Sequence, residues 1–146
     1  MKTELESLKK VITKDLEGNI NGTLIELLKE DEKTLAYLTT ILPGKVKGYY
    51  LHKIRECNYI CIKGKVDVII YDLEEKNKQK FTLNSENPQK LKILTNLAAG
   101  FENHYEEEAF LINFPNPPYD PEHSKIGERV KYSKEELEKL ITVNSF

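Results

Sequence analysis

The stretch GKVKGYYLHKIREC, residues 44–57, gathers the side chains best suited to chemistry. His52 is its one histidine, and an imidazole with an ordinary pKa of about 6.5 can take or give a proton near neutral pH. Tyr50 precedes it by two positions. In a strand such residues share a face about 7 Å apart, so both would line one cavity while Leu51 points away. Lys47 would then lie near the mouth, where an anion can meet it without deep burial of charge; the other reading is a solvated lysine. Tyr49, Tyr50 and Tyr59 offer rings that stack on a sugar or base, or that fill the interior. His52 itself reads as a ligand-contacting residue or as a hydrogen-bonded interior histidine.

Cys57 could ligate a soft metal, but one imidazole and one thiol make a poor divalent-metal site. No metal and no cofactor is expected. Cys57 and Cys61 lie four apart, about 13 Å along a strand, which is too far for a disulfide. They read as buried, reduced thiols.

These residues sit in a chain patterned for strands. The segments 8–14, 22–29, 34–42, 45–53, 57–63 and 65–73 are short and rich in β-branched or aromatic residues, with breaks at DLEGN, Pro43-Gly44 and Gly64. EEKNKQ (74–79) reads as an exposed hairpin tip, and 80–84, 89–94, 98–103 and 108–114 continue the series. Short strands at roughly ten-residue intervals predict an antiparallel sandwich or barrel. From Pro115, FPNPPYDPE is too rich in proline for a central strand. Ser133 and Glu136 form a capping box, and Leu137, Leu140 and Ile141 make an apolar face, which predicts one helix over 134–142.

The 146 residues suggest a single domain, 1–146, with 115–146 a Pro-rich segment plus helix packed on the strands. Twenty-two basic against 24 acidic residues leave a net charge of −2, with no basic stripe for nucleic acid. The longest apolar run is far too short to span a bilayer, and MKTELESLKK lacks the apolar core of a signal peptide. A soluble, cytoplasmic protein is expected, with neither nucleic acid nor membrane as partner.

The spacing from Gly44 to Gly64 resembles the first motif of the cupins, small jelly rolls, G-x5-H-x-H-x4-E-x6-G, with Gly44, Tyr50, His52, Cys57 and Gly64 at its positions. The second motif, P-x-G-x2-H-x3-N, falls on Leu94, Asn96, Ala99 and Asn103. Within the cupins, KGYYLHK, YICIKGKVDVIIYDL, ENPQKLKIL and LINFPNPPYDPE are similar to the dTDP-4-dehydrorhamnose 3,5-epimerase family, notably its short relatives with RGxHxHK and NFPTxxYDPE signatures. The resemblance covers about residues 10–132. It implies an all-β, cupin-type jelly-roll barrel with one short C-terminal helix.

It also implies a metal-independent epimerase-like protein that acts on or binds a nucleotide-diphosphate sugar, a 4-keto-6-deoxyhexose, in surface-polysaccharide deoxysugar synthesis. Such a reaction needs a base for the proton α to the ketone, a cation for the enolate and an acid opposite. By position, the family's base falls on Tyr50, its enolate-stabilising lysine on Cys57 and its acid tyrosine on Ile112, so these positions are substituted. We take His52 and Tyr50 as the candidate catalytic pair. Lys47, Lys53, Tyr59, Asn113 and Tyr119 are the candidate substrate-binding residues. The alternatives are a non-catalytic sugar-nucleotide-binding or interaction module, or a 3,4-ketoisomerase. The resemblance further implies a homodimer, formed by N-terminal strands that leave one barrel to pair with a neighbour.

Overall fold

Val66, Val68 and Ile70 alternate with Ile69 and Tyr71 along one strand, and both sets are buried. A strand that is apolar on both faces must lie between two layers. The computed structural model describes residue 7 and residues 10–29, 35–117 and 120–142, and it shows those layers. The strands are β1 (Lys10–Lys14), β2 (Ile20–Lys29), β3 (Leu35–Ile41), β4 (Val46–His52), β5 (Cys57–Lys63) and β6 (Lys65–Asp72). They continue with β7 (Asn77–Asn84), β8 (Lys90–Ile93), β9 (Ala98–Glu102), β10 (Ala109–Asn113) and β11 (Arg129–Lys131). The helices are α1 (Pro121–Lys125) and α2 (Lys134–Thr142).

One sheet has the order β1-β2-β3-β10-β5-β8, the other β11-β4-β9-β6-β7. Val66, Val68 and Ile70 of β6 join Ile41, Cys61 and Leu111 of the first sheet in one apolar cluster. Ile69 and Tyr71 face the other way, with Tyr49, Leu51 and Ala98, and α2 closes over them through Leu137. The molecule is thus sheet, sheet, helix.

The expected cupin-type jelly-roll barrel is not what forms. Closure requires every strand to be paired on both sides. Among the described residues no ladder joins the two sheets; one ends at β1 and β8, the other at β11 and β7. β8 is four residues (KLKI) and β11 three (RVK). Short, charged edges of this kind resist further pairing, which keeps the sheets open. The fold is all-β with a C-terminal helix, without a barrel.

The helix forms where its cap predicts. The Glu136 N–H donates to Ser133 Oγ at 3.1 Å, and the Ser133 N–H donates to Glu136 Oε1 at 3.3 Å. Polar side chains then fix α2 on the sheet: Lys134 donates to Glu102 at 2.8 Å and the Tyr71 hydroxyl to Glu138 at 2.6 Å. Behind β4, the Tyr49 ring lies on Gly100, where an added Cβ would come within 2.2 Å of ring carbon.

Leu137 is fully buried while Leu140 is 42% exposed. Leu137→Ala should therefore cost about 3 kcal/mol in urea unfolding, as a buried large-to-small change does. Leu140→Ala should stay within about 0.5 kcal/mol.

Candidate functional site

β4 carries two sequences in one: Tyr49 and Leu51 pack behind it, while Lys47, Tyr50 and His52 face the opposite sheet. The strict alternation is interrupted because Lys47 pairs with Phe101 and Tyr50 with Ala99, leaving one extra residue on β4. That bulge is what puts Lys47 and Tyr50, three apart, on one face.

The face they share lines a cleft of about 540 Å³ between the sheets, with Tyr37, Thr39, Tyr59 and Asn113 on its far wall. Beside it lies a small apolar side pocket of about 40 Å³ at Cys57, Ile93, Leu97 and Ala99, which shares Tyr50, His52, Arg55 and Tyr59 with the cleft.

His52 is held by Glu128. Its Nδ1 lies 3.1 Å from both carboxylate oxygens. The Arg55 backbone N–H donates to Glu128 Oε1 at 3.3 Å, and the Arg55 Nε–H donates to His52 Nδ1 at 3.3 Å, in competition with Glu128 for that nitrogen. A carboxylate only accepts, so the tautomer bonded to Glu128 carries its proton on Nδ1 and leaves Nε2 as the basic nitrogen, whereas the Arg55 contact calls for a lone pair at Nδ1. Burial, then the Arg55 charge, pushes the imidazole below its ordinary pKa, against the opposing pull of Glu128. Burial alone would raise the Glu128 carboxyl. The His52 hydrogen bond, with the charges of His52 and Arg55, outweighs it and holds Glu128 below the usual range. At neutral pH the pair is a neutral imidazole oriented by a carboxylate, which is the arrangement of a general base.

Lys47 is not at the mouth. Its Nζ turns onto the opposite sheet, donating to Thr39 Oγ1 at 2.8 Å and to the Thr23 carbonyl at 3.0 Å. Burial lowers its pKa to about 8, with the Glu108 charge in opposition. Tyr50 lines the cleft beneath two cations: Arg129 Cζ is 4.6 Å and Lys131 Nζ 5.4 Å from its ring centroid. Tyr59 packs its ring on Phe101 with centroids 4.6 Å apart, and burial raises its phenol well above the ordinary value. Asn113 is buried at the cleft wall, and its Oδ1 has no hydrogen-bond partner among the described residues.

The structure therefore brings together Lys47, Tyr50, His52, Tyr59 and Asn113. Lys53 is exposed and stands apart from the cleft, though its backbone N–H donates to the Glu128 carbonyl at 2.7 Å. Tyr119 lies outside the described residues. Sequence reasoning missed Arg55, Glu128, Arg129 and Lys131. The signal was there in ERVKY, where Arg129 and Lys131 alternate with Val130 at the period of a strand.

The chain belongs to the polysaccharide biosynthesis C-terminal domain family, which it matches over residues 18–126. Among curated proteins it is 28% identical over 136 residues to the probable low-salt glycan biosynthesis epimerase Agl13 of Haloferax volcanii, covering 84% of this chain and 86% of that one. Its fold is similar to that of CapF, the capsular polysaccharide assembling protein of Staphylococcus aureus, with a TM-score of 0.71 and 15% identity over 85% of this chain and 34% of CapF. It is also similar in fold to a dTDP sugar isomerase from Desulfovibrio desulfuricans G20, with a TM-score of 0.64 and 20% identity over 94% and 87% of the two chains. The sequence similarity to these proteins is weak, and the structural similarity is one of fold. Among the described residues no helix is long and apolar enough to cross a membrane.

The His52 environment makes a signed prediction for an NMR titration. Glu128 raises the imidazole pKa and Arg55 lowers it. Glu128→Gln should move the His52 midpoint further down, and Arg55→Met should move it up. A midpoint unchanged in both variants would contradict this arrangement of charges.

Proposed function

We propose that the protein transfers a proton beside the ketone of a nucleotide-linked 4-keto-6-deoxyhexose, as an epimerase or isomerase of surface-polysaccharide deoxysugar synthesis. The observation that carries this reading is the His52–Glu128 pair on the wall of a cleft large enough for a sugar. A neutral imidazole with Nδ1–H held by a carboxylate removes the proton α to the ketone through Nε2. Arg55, beside the ring, supplies positive charge for the enolate oxygen in place of the lysine absent at Cys57. Tyr50, which also lines the cleft, is assigned as the acid that returns a proton, to the opposite face of the sugar where the carbon is epimerised.

In this assignment Asn113 uses its unpaired Oδ1 to accept from a sugar hydroxyl, since a buried acceptor left without a donor is costly. Lys47 and Tyr59 line the sugar end, Lys53 stays a candidate for ligand contact from outside the cleft wall, and Tyr119 stays a candidate binding residue. The chemistry balances with one proton removed and one returned, and calls for neither metal nor redox cofactor.

The test is deuterium incorporation into dTDP-4-keto-6-deoxyglucose in heavy water, followed by NMR. Wild type should exchange the proton next to the ketone, and His52→Asn should lower the rate by about 100-fold or more, as loss of a general base does. The rate should rise with pH through a midpoint below the ordinary histidine value, because the base is the neutral form and its pKa is lowered. Binding without exchange in wild type would instead make this a sugar-nucleotide-binding module.

We also infer a homodimer. Val11 and Ile12 on edge strand β1 are 41% and 58% exposed, and Ile20, at the start of β2, is 49% exposed. Apolar surface on an open edge is suited to pairing with a second copy. Light scattering should give twice the 16.9 kDa chain mass at micromolar concentration; a monomer there would refute the dimer.

A further inference from the structure

We propose that Arg129 and Lys131 form an anion site at the β11 edge of the cleft, and that it takes the diphosphate of the sugar nucleotide. The class of ligand rests on the reading of the cleft as a sugar-nucleotide site; the site itself rests on the geometry. The two residues stand at i and i+2 of β11, so they share a face. Their backbone partners on β4 are His52 for Arg129 and Tyr50 for Lys131. Both cationic groups lie over one ring, that of Tyr50, at 4.6 and 5.4 Å from its centroid.

Two like charges brought to one small platform repel each other. Among the described residues neither is in a salt bridge with a carboxylate. The two acids that line the cleft are committed elsewhere. Glu128 holds His52 and the Arg55 N–H, and Asp15 accepts from the backbone of Glu17 and Asn19 in its own turn. The Tyr50 quadrupole offsets part of the repulsion, and an anion spanning both cations would offset the rest.

A diphosphate suits the pair because a guanidinium fork binds one phosphate through two oxygens while an ammonium serves the next as a point charge. The edge position leaves the site open to solvent, so a doubly charged group enters without deep desolvation. The register then gives a direction: Arg129 is opposite His52, which sends a sugar on the near phosphate toward the imidazole. Lys47 is excluded from this role because its Nζ is spent on Thr39 and Thr23.

Calorimetry with inorganic pyrophosphate, thymidine diphosphate and thymidine decides the matter. Wild type should bind the two diphosphates, more weakly as salt is added. Arg129→Gln and Lys131→Gln should each weaken thymidine diphosphate binding about tenfold, in the range of a lost charge-assisted contact. Lys90→Gln, an exposed change away from the cleft, should leave it unaltered. Both cleft variants remove exposed side chains, and unchanged thermal unfolding would show that they fold.

Failure of wild type to bind either diphosphate at millimolar concentration would overturn the proposal, as would unaltered binding in both variants. Loss of binding in Lys47→Gln alone would also overturn it. The two readings separate cleanly. Arg129-dependent diphosphate binding without deuterium exchange keeps this site and defeats the proton-transfer reading. Exchange with an unchanged KM in Arg129→Gln does the reverse.

Discussion

The bulge in β4 is the constraint on which the site depends. Gly48 takes φ of +105°, and a Cβ there would stand 2.8 Å from the Ala99 carbonyl oxygen. Only glycine meets both demands without displacing the neighbouring strand. Past it, Tyr49 turns behind the sheet and lies on Gly100, with its hydroxyl bonded to Glu102. Glu102 also accepts from Lys134, and His104 Nε2 lies 2.8 Å away. The positions of Lys47, Tyr50 and His52 in the cleft are thus set by packing on the opposite side of their own strand.

The charged groups inside the protein follow one rule: each is met by hydrogen-bond partners from another element. Asp67 accepts from Thr82 and from the Tyr105 hydroxyl, both at 2.9 Å, with Lys80 at 3.5 Å. Glu102 and Glu128 are satisfied in the same way by residues far along the chain. Removing one member of such a set leaves a buried charge without its partners, which costs more than the pair contributes net. What distinguishes Glu128 is that its principal partner is an imidazole, held below its ordinary pKa by burial and by Arg55. The same construction that satisfies one carboxylate orients an imidazole ring at the other.

Much of this was legible. The period-2 alternation around Leu51 placed Tyr50 and His52 in one cavity, and Ser133 with Glu136 located α2 to within a residue. Closure was not legible. Short strands at ten-residue intervals occur in sandwiches and barrels alike, and the difference lies in which edges pair, a non-local property that periodicity does not encode. β7 begins at Asn77, inside what reads as a hairpin tip, because its first half is polar and exposed. β11 escaped because the alternation in ERVKY spans only three strand residues after a proline-rich segment, too short a run to stand out. With it went Glu128, which meets His52 across 76 residues of sequence.

The open architecture also changes what determines the width of the cleft. In a closed barrel the bore is set by strand number and stagger, and altering it means breaking a ladder. Here the sheets meet without a shared ladder, and beside the cleft they are joined by side chains: Lys47 reaching Thr23 and Thr39, and Asn21 reaching the Val46 carbonyl at 2.9 Å. Lys47 acts as a strut whose length fixes the gap. Exchanging such a strut alters the width of the cavity by one substitution and leaves every strand pairing intact.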